Sequence, residues 1–342
     1  MRMAASNSKL LAVGAGFITD LAVDRLYNLL HCDDVTSLSA EQLVLRNLAD
    51  PVRVFVKNEL HGRRKVAEGR HRLIMSISLV DQLVERVLNS AQNRAEIGAW
   101  ERCASKPGMG LHDEGLASLR RTFEAFKTPT SSDISGFDWS VDWWALRLDA
   151  KIRADLSRVS ELALVNRAWC LAMSLIVFSD GVMWAQWLPG IQKSGSYNTS
   201  STNSRIRVAL AVLVALRAGR PVESLVGLVM AMGDDAVEDC PSLEGFVEAY
   251  QALGFELKEV SQSPIEFCAY SYTPNTHAPV RWHKMLATLL RDVPATQSHA
   301  DTLLEAFSYE MRHSPMLQES LAIIAAVGWG PRQNNGENTQ IA

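Results

Sequence analysis

The chain has 342 residues, 47% of them hydrophobic and 21% charged, enough to bury a substantial core across two or three subdomains. A net charge of −4 excludes a diffusely basic nucleic-acid coat but leaves room for a local basic groove. The cysteines (Cys32, Cys103, Cys170, Cys240, Cys268) are scattered and form no Cys-x-x-Cys pair, which argues against a zinc site or disulfide framework, and no apolar run is long enough to span a membrane.

Leu10 to Phe17 mimics the apolar part of a signal peptide, but Asp20 and Asp24 follow within a helical pattern, so the segment reads as folded. Helical periodicity continues through Ile18, Leu21, Leu26 and Leu30, and Ser39 is placed to cap a second helix over 40–48. Val52 to Lys57 alternates as a strand. From Arg53 to Arg72 the chain carries seven Lys/Arg against two acids, before a short apolar strand at Leu73. This stretch reads either as a solvated charged loop or as a phosphate-binding hairpin that gathers Lys57, Lys65, Arg70 and Arg72. His61 and His71 within it are read as surface histidines.

Residues 78–103 read as helix, 105–110 (Ser-Lys-Pro-Gly-Met-Gly) as a rigid loop, and 116–127 as helix. A short strand then ends at Asp133, Gly136 allows a bend, and Asp138 precedes a helix starting near Ser140. Asp142 is read as a helix-start acid outside any site. Residues 158–178 read as one long core helix, followed by a turn at Ser179 and a strand over 183–188. A glycine-containing loop with Ser194 and Gly195 enters a helix through Thr199 and Asn203 that runs to about Ala218. Its crowd of small polar residues predicts a face that meets a polar ligand.

Val229 to Glu238 predicts a β-hairpin, with Gly233 permitting the turn and Asp234 and Asp235 at its tip. Adjacent like charges repel, so they favour a cation or water; alone, the pattern also describes a plain acidic surface turn. A helix over 242–253 capped by Ser242, strands near 254–259 and 265–272, and a largely helical stretch over 283–327 follow. The polar tail from Pro331 to Ala342 is predicted to be disordered.

Asp133, the acidic hairpin and the helix of small residues form an ordered set. Two metal ions bridging such carboxylates can activate a hydroxyl nucleophile and stabilise a leaving pyrophosphate, and a basic hairpin can hold the triphosphate. In this order and spacing the chain resembles the RNA-dependent RNA polymerases of positive-strand RNA viruses, most closely the sobemovirus, polerovirus and enamovirus group. The likeness runs from about Val13 to Trp329. It rests on Asp-x4-Asp at Asp133 and Asp138, on Ser-Gly-x3-Thr-x3-Asn at Ser194, Gly195, Thr199 and Asn203, and on Gly233-Asp234-Asp235.

The resemblance implies an α+β right-hand polymerase fold of fingers, palm and thumb, with an antiparallel palm sheet flanked by helices. It implies fingers over 1–127 with the basic finger motif at 53–75 and a template-entry loop at 105–110. Palm then covers 128–157, a fingers insertion 158–189, palm again 190–274, and thumb 275–330. It makes Asp133, Asp234 and Asp235 ligands of Mg²⁺, with Mn²⁺ as a substitute. Asp138 and Asn203 become readers of the ribose 2′-OH, and Ser194, Gly195 and Thr199 positioners of template and nascent pair. Lys258 becomes the general acid to pyrophosphate, an ordinary exposed lysine being the alternative, and Phe267 to Tyr272 falls where the primer-grip hairpin belongs. The implied partners are RNA template, nascent strand and NTPs, together with other replication proteins at host cytoplasmic membranes; initiation is either de novo or primed by a linked viral peptide. A reverse transcriptase and a non-catalytic RNA-binding scaffold are the competing readings.

Overall fold

The structure is a computed structural model that describes residues 6–331. Helix α1 (Asn7–Leu30) is followed by α2 (Ala40–Leu45), where Ser39 accepts from the Gln42 amide and the Gln42 side chain returns a bond to the Ser39 amide, a full capping box. Strand β1 (Val52–Val56), the short helix α3 (Arg63–Ala67) and β2 (Leu73–Ser76) come next; β1 and β2 pair antiparallel. The segment predicted as helix over 78–103 is α4 (Leu79–Gly98) plus one 3₁₀ turn at Trp100–Arg102. Then follow α5 (Asp113–Ala125), β3 (Pro129–Ile134), α6 (Phe137–Ser140) and α7 (Trp143–Leu156). Asp142 caps α7 by accepting from the Trp143 amide, as a helix-start acid should.

The long helix expected over 158–178 is shorter. Helix α8 (Glu161–Ala172) stops, and β4 (Leu175–Val177) then inserts between β1 and β5 (Met183–Ala185). The Leu-Ile-Val run fits a pleated surface better than another helical turn. Helix α9 (Thr199–Arg217) leads to β6 (Val229–Met232) and β7 (Asp235–Asp239), the predicted acidic hairpin. Helix α10 (Phe246–Gln251) starts later than the predicted Ser242, because Gly245 adopts a left-handed conformation and resets the start. Strand β8 (Leu257–Ser261) follows. The single strand expected over 265–272 is a hairpin of β9 (Ile265–Phe267) and β10 (Tyr270–Tyr272), turning at Cys268 and Ala269 with φ of 52° and 60°. Strand β11 (His277–Pro279) and helices α11 (Trp282–Arg291), α12 (Gln297–Glu310) and α13 (Leu317–Ala326) complete the fold. Beyond Pro331, the tail predicted to be disordered lies outside the described residues.

The chain forms two compact units. The first comprises the residues up to Lys57 and Arg70–Gln262 and carries two sheets, ordered β2-β1-β4-β5 and β6-β7-β3-β8. The second sheet is antiparallel throughout and packs Ile134, Leu257 and Val260 against Phe137, Leu146, Ile206, Leu210 and Tyr250 from α6, α7, α9 and α10. Sheet and helix faces each bury one apolar side against the other. The other unit, Asn58–Gly69 with the chain from Ser263 onward, holds the β11-β10-β9 sheet and a core of Leu286, Leu289, Phe307, Met311 and Ile324 on α11–α13. Among the described residues no helix is long and apolar enough to cross a membrane.

Candidate active site

The central strand β3 places Asp133 next to its end, between β7 and β8. On the β7 side, Met232 and Asp235 close the hairpin, so Gly233 (φ 67°) and Asp234 form its tip while Asp235 begins β7. On the β8 side the register slips by one residue between Asp133 and Ile134, which makes Lys258 the extra residue of a bulge. Bulges re-aim side chains. Here the Lys258 ammonium donates to Asp133 Oδ2 at 3.0 Å and to Glu259 Oε1 at 2.9 Å.

Asp234 is solvent-accessible, yet the protein around its carboxyl desolvates it, and Asp133 and then Asp138 add like charge; its pKa is raised. Asp138, on α6, is raised as well, mainly by burial, against which Asn203 and Arg72 hold the charged form. The Asn203 amide donates to Asp138 Oδ1 at 2.8 Å, while its own Oδ1 is buried without a partner. Asp133, Asp138, Asn203, Asp234, Arg72 and Lys258 are thus brought together in the first unit.

The loop that enters α9 is held by strand β2. The Gly195 amide donates to the Met75 carbonyl at 2.9 Å and the Met75 amide donates to Ser194 Oγ at 3.0 Å. The Thr199 hydroxyl donates to the carbonyls of Lys193 and Ser196, both at 3.0 Å. These three residues therefore fix the loop's shape and register in front of Asn203.

Ser201 and Thr202 on α9 meet buried ions of the protein. Thr202 donates to Asp149, and Arg153 donates to Ser201 and Thr202. Burial favours the neutral form of Asp149, but Arg153 and Arg205 outweigh it and hold its pKa low. Arg205 continues to Glu96. Fully buried Glu85 accepts from Arg167, from the Ser196 hydroxyl and from the Tyr197 amide, and so fixes the other side of the loop. A cavity of about 40 Å³ lies among Glu85, Asp149, Arg153 and Ser196, large enough for one or two waters. Sequence reading missed Glu85, Asp149, Arg205 and Arg207; the one available hint is the charge of Arg205 and Arg207 on an otherwise apolar stretch of α9.

The basic candidates are divided between the units. Lys57 and Arg72 face each other at the ends of β1 and β2, where the Lys57 amide donates to the Arg72 carbonyl at 2.8 Å, and Arg70 is exposed just before them. Lys65 is exposed on α3, in the other unit. In the loop at 105–110, residues 104–106 run beside β6, with the Lys106 amide donating to the Ala231 carbonyl at 2.8 Å and the Ala231 amide to the Ala104 carbonyl at 2.9 Å. The Lys106 ammonium turns inward onto the carbonyls of Trp100 and Glu101, and burial pushes its pKa down.

The donor set suits a hard divalent cation: carboxylates from β3 and the hairpin, held close enough to raise Asp234, with Lys258 already drawn to Asp133 as a positive charge. Among the described residues no three or more His, Cys, Asp or Glu side chains are placed together so as to hold a metal ion.

The family described as viral RNA-directed RNA polymerase matches residues 17–154 and 150–278, which include every one of these acids and Lys258. Protein P1-P2 of Potato leafroll virus is 42% identical over 294 residues, covering 80% of this chain and 26% of that protein. Replicase polyprotein P2AB of Southern cowpea mosaic virus is 37% identical over 95% of this chain and 34% of its own length. A protein of Mushroom bacilliform virus named RNA-directed RNA polymerase is 37% identical over 91% of this chain and 77% of its own length. The chain spans about a quarter of the length of the P1-P2 relatives it matches.

Proposed function

We propose, for a chain that belongs to the viral RNA-directed RNA polymerase family, that it performs template-directed RNA synthesis in replication of a positive-strand RNA genome. The observation that carries this reading is the meeting of Asp133, Asp138, Asn203, Asp234 and Lys258 at one end of the β6-β7-β3-β8 sheet. Bound divalent ions, Mg²⁺ by preference and Mn²⁺ as substitute, would supply Lewis acidity to the attacking hydroxyl and the leaving pyrophosphate. Asp133, Asp234 and Asp235 would hold them.

Asp138 and Asn203 select the ribonucleotide: the Asn203 amide is engaged by Asp138, which leaves the buried Asn203 Oδ1 able to accept from a ribose hydroxyl. A buried acceptor without its donor is costly, so a nucleotide lacking that hydroxyl is disfavoured. This supports an RNA polymerase over a reverse transcriptase. Arg72, which already feels Asp138 and Asp234, together with Lys57 and Arg70, is assigned to the triphosphate. Lys258 is assigned as proton donor to pyrophosphate.

The sheet with its α6, α7, α9 and α10 cover is assigned as palm, the residues before Thr128 and 158–189 as fingers, and 275–330 as thumb. Residues 105–110 would guide template entry, and β9–β10 would grip the primer end. Recruitment to host membranes through other replication proteins belongs to the same proposal.

The test is RNA synthesis on a defined template with Mg²⁺ or Mn²⁺, with and without primer, comparing GTP with dGTP beside an Asp234→Ala control. Complementary RNA product that requires metal and vanishes in the control supports the reading. Efficient dGTP use moves it to a reverse transcriptase, and folded protein that binds RNA without synthesis moves it to the scaffold.

A further inference from the structure

Helix α9 touches the acidic turn at two points that no motif assigns. The Gly233 amide donates to Ser204 Oγ at 2.9 Å, and Arg207 Nε donates to the Asp234 carbonyl at 3.3 Å. The same guanidinium donates through Nη2 to the Ser132 hydroxyl and, at 2.9 Å, to Glu238 Oε1. Ser132 is the chain neighbour of Asp133, and Glu238 lies on β7 opposite Thr130 of β3. Arg207 Nη1 donates to the Tyr250 hydroxyl at 2.5 Å, which in turn donates to Glu238 at 2.7 Å, and the Tyr250 ring stacks under the guanidinium at 4.7 Å. Arg207 and Ser204 are both fully buried.

We infer that Ser204 and Arg207 form a clamp that fixes the Gly233–Asp234 turn against the Asp133 strand, and so sets the separation of the two carboxylates that receive the cation. The inference rests on the polymerase reading for the identity of that cation. Three features carry it. The two contacts bracket the turn from opposite ends, one taking the N–H of Gly233 and the other giving to the C=O of Asp234. The guanidinium also reaches both strands, so the turn cannot shift relative to Ser132 without breaking a buried charge-assisted bond. Glu238 balances the charge of Arg207 locally, so the arginine acts on position and leaves the negative charge of the site in place for a metal.

Asn203 and Arg207 are four residues apart and hence on one face of α9. One rigid helix thereby fixes Asp138 through Asn203 and the acidic turn through Ser204 and Arg207. Ser204 and Arg207 are positioning residues, since neither is offered to substrate.

The test uses the whole chain with Ser204→Ala, which deletes one acceptor, and Arg207→Lys, which keeps the charge but not the fork. Amide exchange is read without metal, Mn²⁺ binding by loss of the free-ion resonance signal, and incorporation as kcat and KM for NTP. For Ser204→Ala the Gly233 amide should exchange selectively faster than its β6 and β7 neighbours. Mn²⁺ affinity and kcat should both fall about 10-fold or more, as when the groups that orient metal ligands are removed, with KM nearly unchanged. Arg207→Lys should shift Mn²⁺ affinity and kcat in the same direction.

Two results overturn the clamp: uniform acceleration of exchange throughout the sheet with unchanged Mn²⁺ affinity, or selective Gly233 exchange with unchanged Mn²⁺ affinity. If Ser204→Ala does not fold, Arg207→Lys decides by the same Mn²⁺ criterion. If the variants lose Mn²⁺ affinity as expected while the wild type makes no RNA, the polymerase reading is overturned and the clamp stands. RNA synthesis with clamp variants of unaltered Mn²⁺ affinity does the reverse.

Discussion

The ammonium of Lys258 donates to Asp133 Oδ2 at 3.0 Å, which sets a positive charge directly on the carboxylate of the central strand. Bonds to Glu259 and then to Asp133 raise its pKa above the ordinary lysine value. A divalent ion held by Asp133 would share this carboxylate with the Lys258 ammonium, and the two positive charges would repel.

Replacing Lys258 with leucine should therefore act in two opposite ways. Mn²⁺ should bind more tightly, because a competing charge is gone, while the chemical step slows by about 10²-fold or less, the range a general acid supplies. Metal titration and single-turnover incorporation read the two effects separately. Unchanged turnover would reduce Lys258 to a counter-ion, and weaker Mn²⁺ binding would contradict the competition.

Asp234 gives a pH dependence with a defined sign. Its raised pKa means that the native state keeps a proton there over a window in which the unfolded chain has lost it. Metal-free protein should gain stability from this group as pH falls through that window and lose it as pH rises above. Asp234→Asn should accordingly melt higher than wild type at neutral pH in a chelator, with the advantage shrinking as the medium becomes acidic. A melting difference that ignores pH would show that the strain lies elsewhere.

The parts of this site that the sequence announces are those where chemistry forces residue type. Asp133, Asp138, Asn203 and the Gly233-Asp234-Asp235 turn are legible because their order and spacing together resemble the polymerase motifs, and because a two-residue hairpin needs a residue such as Gly233 at positive φ. The supports are hidden, because a buried ion on a helix looks like a surface one until its partner is known. Glu85 and Arg167 lie far apart in sequence and meet only through packing, at 2.8 Å. The reading of elements also differs from the structure at two short segments. Leu175–Val177 became a strand because β1 offered it an edge, and Cys268 and Ala269 turn at positive φ without a glycine or asparagine to announce it.

Gly195 illustrates a glycine required by packing. A Cβ at this position would stand 2.4 Å from the Met75 carbonyl oxygen and 3.0 Å from Ser76 Cα, both backbone atoms of or beside β2 that cannot swing aside. Gly195→Ala should cost about 1–3 kcal/mol of stability, as overpacking does. The Met75 amide, which donates to Ser194 Oγ at 3.0 Å, should exchange faster at the same time. Denaturant melts and amide exchange test this; an unaltered midpoint would mean that the loop re-docks without loss.

Lys193, directly before that loop, adds a second pH effect of opposite sense. It is fully buried, and its ammonium donates only to neutral acceptors among its hydrogen-bond partners: Gln186 Oε1 at 2.9 Å, the Gly190 carbonyl at 3.2 Å and the Ile191 carbonyl at 3.0 Å. Burial pushes its pKa down to about 7. The native state therefore sheds this proton well before the unfolded chain does, so this group's cost is full below about pH 7 and is relieved as pH rises toward the ordinary lysine value. Lys193→Met removes both the buried charge and its three bonds. Its melting temperature relative to wild type should be most favourable below pH 7 and should fall steadily behind between pH 7 and 9. A difference that stays constant across that range would mean that the lysine keeps its proton, held there by the three carbonyl-type oxygens around it.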